Sequence, residues 1–149
     1  MKKSIKAKIY KYMTSSALGL LVLSPFMIAV AIAIKLEDGG PVFFRQKRMT
    51  RGGREFDILK FRSMIVDAEK DGPQPATDND KRITPVGKII RATRIDELPQ
   101  IINILKGDMS IVGPRPQLVR DMVFMTPEQR KRHSVRQGLT GLAQSNGRN

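Results

Sequence analysis

The densest chemistry in the chain is the carboxylate pair Asp96-Glu97, flanked by Arg91 and Arg94 before it and Leu98-Pro99-Gln100 after it. A carboxylate can attack phosphorus as a nucleophile, and a neighbouring one can hold a magnesium ion that bridges phosphate oxygens. Arginines hold such oxygens in bidentate fashion. Without these cations, a carboxylate approaching a diphosphate meets charge repulsion, so the grouping is coherent for phosphoryl transfer. A plainer role fits the same residues: Asp96 caps a helix and Glu97 complements its dipole. Ile95, Leu98, Ile101, Ile102 and Leu105 have helical spacing, which places the pair at or near a helix N-terminus, where Pro99 is tolerated.

Two further stretches carry charge in a constrained setting. Gly113-Pro114-Arg115-Pro116 stiffens one arginine between two prolines with fixed φ. It is either a rigid turn with a solvated Arg or a device that aims a guanidinium at a nucleotide or phosphate. Lys60-Phe61-Arg62 puts two bases on one strand face and Phe61 on the other. That pattern serves either anion binding or an exposed basic edge that discourages aggregation. The single histidine, His133, lies in the run Arg130-Lys131-Arg132 and is expected to be solvated, with no catalytic role.

Composition bounds what these residues can serve. The chain has 149 residues, a net charge of +13 and no cysteine. Thiolate metal sites, disulfides and a thiol nucleophile are excluded. The excess of base must face something acidic: nucleic acid, an anionic membrane surface or phosphorylated substrates. Nucleic acid has only charge in its favour, since no zinc ligands are spaced for a finger and only 5% of residues are aromatic.

The charge map points to a membrane. Lys2, Lys3, Lys6, Lys8 and Lys11 precede an uncharged stretch over 12–34, and every acidic residue follows it. As a helix this stretch is about 34 Å long, enough to cross the hydrocarbon of a bilayer. It is apolar all round, unlike an amphipathic surface helix. Ser24-Pro25 sits in its middle, where proline removes a hydrogen bond and predicts a kink. Lysines and arginines flank both ends, whereas a spanning helix biases them to one side. A helix that enters, bends at Ser24-Pro25 and returns to the same face meets both observations; a kinked transmembrane helix is the other reading. Ala29-Val30-Ala31 also has the small-x-small form of a signal-peptide cleavage site, though the apolar run is long and broken by proline.

The rest reads as one unit after the break at Gly39-Gly40-Pro41. Residues 42–44 and 56–61 bracket a polar, Gly-containing stretch, a β-hairpin signal. A short helix is expected over 63–70 and a loop over 71–80. A helical region over 95–106 is closed by Gly107. Thr126-Pro127 starts another helix, with a Thr cap and Pro at its first position.

Taken together, the chain resembles the small bacterial monotopic phosphoglycosyl transferases, also called undecaprenyl-phosphate sugar phosphotransferases. The matching strings are the Ser24-Pro25 break, Pro41-Val42-Phe43-Phe44-Arg45-Gln46, Lys60-Phe61-Arg62-Ser63-Met64, and Arg91 followed by Asp96-Glu97-Leu98-Pro99-Gln100. Leu105-Lys106-Gly107-Asp108-Met109-Ser110, Gly113-Pro114-Arg115-Pro116 and Gly138-Leu139-Thr140-Gly141-Leu142-Ala143-Gln144 complete the series in family order. Their combination favours the catalytic reading of Asp96 over the cap.

The resemblance implies an α+β, mainly helical monotopic membrane protein with a small β-hairpin. Residues 1–36 would form a re-entrant membrane helix and 37–149 a catalytic domain on the cytoplasmic face of the bacterial inner membrane. It implies transfer of a sugar-1-phosphate from a UDP-sugar to polyprenyl phosphate, with release of UMP. Asp96 would be the nucleophile of a covalent intermediate and Glu97 the ligand of Mg2+. Lys60 and Arg91 would lie at the phosphates, and Arg115 would help bind the nucleotide or its phosphate. Membrane lipids are further partners, self-association stays open, and no nucleic acid is expected. Relatives usually continue past Asn149 into a segment with another acidic site residue and membrane-lying amphipathic helices. That segment is missing here, so a short or truncated member is expected, with an inactive or regulatory scaffold as the alternative. Gln137 and Ser145 also stand where many relatives have Pro and Val, and Tyr12 is near a common Asp.

Overall fold

The computed structural model describes residues 2–70, 72, 74, 76, 77 and 80–145. Five positions of the expected loop over 71–80, and residues 146–149, lie outside the described residues. Helices and short strands are mixed, as expected for an α+β chain. They fall into two compact units: Met1–Val22 with Arg45–Leu59 and Gln100–Asn149, and Leu23–Phe44 with Lys60–Pro99.

The uncharged run lies within α1 (Lys2–Asp38), a single helix of 37 residues with Pro25 inside it. The helix continues through Ser24-Pro25 to Asp38 rather than ending there. Its stretch Ser16–Asp38 is long and apolar enough to cross a membrane by length and composition. Met27, Val30 and Ile34 form a buried stripe at helical spacing, whereas Leu21, Val22, Ile28, Ile32 and Leu36 are exposed. Gly39 stops the helix in the left-handed conformation (φ +72°), donating its N–H to the Lys35 carbonyl at 3.0 Å.

The expected hairpin forms from β1 (Phe43–Met49) and β2 (Glu55–Phe61), joined by a 3-10 turn at Arg51–Gly53. So short a connection makes the pair antiparallel. Gly52 and Gly53 take the positive φ the turn needs. β1 is longer than the expected 42–44, because Arg45-Gln46-Lys47-Arg48 alternates exposed and half-buried positions without an apolar signal.

In the first unit, Phe56, Ile58, Ile104 and Met109 form the core, with Ile111 and Leu139 packed on it. α3 (Gln100–Leu105) joins β2 through buried Asn103. Its amide donates to the Asp57 carbonyl at 2.8 Å, and its Oδ1 accepts from the Leu59 N–H at 3.0 Å. One side chain thus satisfies a strand edge as another strand would. Gly107 follows α3 at φ +80°, the closure expected there. β3 (Ser110–Val112) pairs in parallel with β4 (Gly138–Thr140). Gly138 is required at this crossing, since a Cβ there would fall 2.0 Å from the Gly113 nitrogen. α4 (Pro127–Arg130) carries the predicted cap as a full capping box between Thr126 and Gln129. α5 (Leu142–Ser145) follows β4.

In the second unit, Phe61 stacks on Phe43, with ring centroids 5.6 Å apart. No helix forms over 63–70. Met64 makes an antiparallel bridge to Ile83, and the Ile65 N–H donates to the Arg82 carbonyl, so the backbone stays extended before a series of turns. α2 (Pro85–Ala92) is capped by Thr84, whose Oγ1 accepts from the Gly87 N–H at 3.0 Å. Gly87 lets this helix lie on the chain after β2, because a Cβ there would sit 2.0 Å from the Ser63 carbonyl oxygen. The helical region expected over 95–106 is split into a 3-10 turn at Ile95–Glu97 and α3.

Candidate active site

The second unit brings Lys60, Asp96 and Glu97 together. Lys60 stands near the end of β2, with Phe61 buried on the opposite strand face. Asp96 and Glu97 occupy the 3-10 turn rather than the first turn of a helix. Arg94, held in the left-handed conformation at φ +58°, redirects the chain into that turn. The expected cap role for Asp96 is therefore not realised, since α3 starts only at Gln100.

Lys60 Nζ donates to Glu97 Oε1 at 2.8 Å and lies 3.9 Å from Asp96 Oδ2. The second separation is an ion-pair distance, not a hydrogen bond. Lys60 therefore favours the charge on Asp96 without capping that oxygen. The three side chains are only 13–20% exposed. Burial raises the Asp96 carboxyl above the usual carboxylate range; Lys60 opposes this, Glu97 adds to it and Arg91 opposes it. A carboxylate destabilised by burial but kept near a cation is a more reactive anion than one saturated with donors.

Arg91 comes from the last turn of α2 and contributes its field to Asp96. Its Nη1 is 3.5 Å from Ser63 Oγ. The pair Lys60 and Arg62 divides its duties. Arg62 is buried, contradicting an exposed basic edge, and forms an ion pair with Asp38. Ser24 and Pro25 lie inside α1, the first half-buried and the second exposed.

Arg115 belongs to the first unit. Its Pro-Arg-Pro element is tied down through backbone carbonyls: Arg48 Nη1 donates to Pro116 O at 3.1 Å and Arg132 Nη2 to Arg115 O at 3.3 Å. The Met49 N–H donates to Gln117 O at 3.0 Å. The stiffness expected from the two prolines is thus reinforced from outside. His133, expected to be solvated, is buried instead, 3.4 Å from the amide of fully buried Gln137. Burial, with Arg132 nearby, lowers its pKa.

The donor set constrains any cation. Among the described residues no group of three or more acidic, His or Cys side chains is assembled to hold a metal. A magnesium site needs only one or two carboxylates when substrate phosphates and water complete the octahedron, and Asp96-Glu97 meets that requirement. Residues the sequence did not single out are Asp38 and Glu37, at the end of α1, and Asn103 inside the first core. Asp38 and Glu37 were hidden because acids near an apolar helix end look like ordinary flanking charge.

The sequence model of a family described as bacterial sugar transferase matches residues 3–149. A UDP-N-acetylgalactosamine-undecaprenyl-phosphate N-acetylgalactosaminephosphotransferase of Aeromonas hydrophila is 49% identical over 133 residues, covering 87% of this chain and 31% of its own. A UDP-glucose:undecaprenyl-phosphate glucose-1-phosphate transferase of Xanthomonas campestris pv. campestris is 47% identical over 136 residues, covering 89% and 28%. The exopolysaccharide production protein PSS of Rhizobium leguminosarum bv. phaseoli is 44% identical over 140 residues, covering 89% and 70%. The chain thus spans about a third or less of the first two relatives.

Proposed function

The chain belongs to the bacterial sugar transferase family, and from that premise we propose that it transfers a sugar-1-phosphate from a UDP-sugar to polyprenyl phosphate at the membrane. The observation that carries the reading is the grouping of Lys60 with Asp96 and Glu97 in a nearly buried setting. The names of the Aeromonas and Xanthomonas relatives support the substrate classes.

In this reading an Asp96 oxygen attacks the phosphorus that bears the sugar. The bond from that phosphorus to the bridging oxygen breaks, and UMP leaves with the electron pair. A polyprenyl phosphate oxygen then attacks the same phosphorus and releases the Asp96 carboxylate, giving ping-pong kinetics. Lys60 and Arg91 neutralise the diphosphate as Asp96 approaches, and Arg115 engages the nucleotide or its phosphate. Glu97 would hold a magnesium ion, whose charge would stabilise the phosphate oxygens.

Residues 1–36 act as the membrane-inserting part and 37–149 as the catalytic part. The exposed apolar side chains of α1 support insertion, and base at both of its ends supports a re-entrant path through one leaflet of the inner membrane, with the site at the cytoplasmic face. Cysteines introduced at Lys3 and Arg51 should label from the same side; opposite labelling refutes the re-entrant path. For the chemistry, the chain incubated with a UDP-sugar panel and Mg2+ should gain the mass of one sugar phosphate. Asp96→Asn should abolish the adduct, and an adduct that persists there refutes Asp96 as nucleophile. Glu97→Gln should weaken the dependence on magnesium.

A further inference from the structure

The last turn of α1 ends in two consecutive acids that grip two different elements of the second unit. Asp38 takes the guanidinium of Arg62 in a fork, each of its oxygens accepting from one terminal nitrogen. Arg62 Nε donates to Pro41 O at 2.6 Å, and the Arg62 N–H donates to Val42 O at 2.9 Å. The guanidinium is therefore satisfied on several sides while its residue is only 7% exposed. Space is reserved for it, because a Cβ on Gly40 would come within 2.9 Å of the Arg62 guanidinium carbon and 2.7 Å of Val66.

Glu37 points elsewhere. Its Oε1 accepts from the Val86 N–H at 2.9 Å, in the first turn of α2. Thr84 satisfies the next donor of that turn, so α2 is capped partly by its own sequence and partly by α1.

These two grips bear on the site. Arg62 lies two residues from Lys60, just past β2, and α2 carries Arg91 in its last turn. The structure assigns Glu37, Asp38 and Arg62 as positioning residues: the end of α1 sets the register of the two elements that present Lys60 and Arg91 to Asp96. None of the three need touch substrate. A fork-to-fork pair fixes both distance and plane, which a single-point contact does not. A displacement of about 1 Å at a site of this kind costs on the order of a hundredfold in rate.

The inference rests on the proposed transferase reading, and the experiment separates the two. The full chain in lipid nanodiscs is mixed with excess UDP-sugar and Mg2+, and the adduct on Asp96 is followed by intact mass for wild type, Asp38→Asn, Arg62→Lys and Glu37→Ala. Positioning predicts that the variants still reach one adduct per chain but form it at least tenfold more slowly. A purely structural role predicts the reverse, a reduced final adduct with the remaining molecules reacting at the wild-type rate, and that result, or no change at all, overturns the assignment. Hydrogen exchange on the same samples is the second readout. The Val86 amide should exchange faster in Glu37→Ala, and amides over 60–64 faster in Asp38→Asn. If wild type forms no adduct, the transferase reading fails, and exchange alone decides: wild-type protection in both variants overturns the grip.

Discussion

Replacing Lys60 by Met tests the electrostatics of the site directly. The substitution keeps an unbranched side chain one atom shorter and removes its charge. Lys60 Nζ stands 3.9 Å from Asp96 Oδ2. At an effective dielectric of about 20, charges at that distance attract by about 4 kcal/mol. The side chains are 20% and 13% exposed, so water takes a share, and half that value is a sensible floor. Losing that attraction disfavours the ionised form and pushes the Asp96 pKa further up. The direction adds to burial and to Glu97, which already push that carboxyl up, and leaves Arg91 as the cation opposing them. Only the ionised carboxylate can attack, so the acid limb of adduct formation moves to higher pH. The assay is the initial rate of adduct formation between about pH 5 and 9, with UDP-sugar saturating. The melting temperature gives a check without chemistry. A carboxyl whose folded pKa is raised destabilises the fold when ionised, so Lys60→Met should gain stability as pH falls through the raised value. An acid limb that stays in place while the rate drops uniformly refutes the reasoning and leaves Lys60 as a substrate ligand alone.

Three further perturbations probe the scaffold. Asn103→Leu strands the Asp57 carbonyl and the Leu59 N–H, both now bonded to Asn103, and should cost about 2–3 kcal/mol in denaturant titration; a loss below about 0.5 kcal/mol contradicts that role. Gly138→Ala forces a Cβ to within 2.0 Å of the Gly113 nitrogen and should cost at least the about 1–3 kcal/mol typical of overpacking, while a stable variant would show that β3 and β4 can separate. His133 is buried with a lowered pKa, so the unfolded chain binds the proton more readily and stability should fall as pH drops below about 6.5. A His133→Gln chain should lose that part of the slope in thermal melts, and an unchanged slope assigns it to other groups.

Sequence pattern announced the features that rest on local chemistry. The uncharged run over 12–34, the Gly-containing hairpin and the Thr126-Pro127 start are dictated by residues close in the chain, and each has its counterpart in the structure. What escaped depends on partners distant in sequence. β3 and β4 are three residues each, too short for any alternation, and exist because two glycines allow their backbones to meet. The stretch over 63–70 has helical composition but is drawn into a bridge with Ile83. Arg62 looked interchangeable with Lys60, yet only one faces the carboxylate pair, because the other meets the acid that closes α1. His133 differs for a related reason: although Arg132 stays near it, its ring is buried beside Gln137, four residues on, rather than turned to solvent with the charged run.

The closeness of Gly113 and Gly138 has a practical consequence for engineering. It pins both roots of the excursion that runs from the Pro-Arg-Pro element to β4, so the ends of that excursion do not depend on its contour length. Its outer part buries little, with Val123 and Phe124 exposed and no buried residue in the turn at Val119–Phe124 or in α4. Lengthening such a closed loop is cheap, about 0.6 kcal/mol for each doubling. Exposed Val123-Phe124 is therefore the place to graft an epitope or a fluorophore-binding peptide as a reporter on the protein.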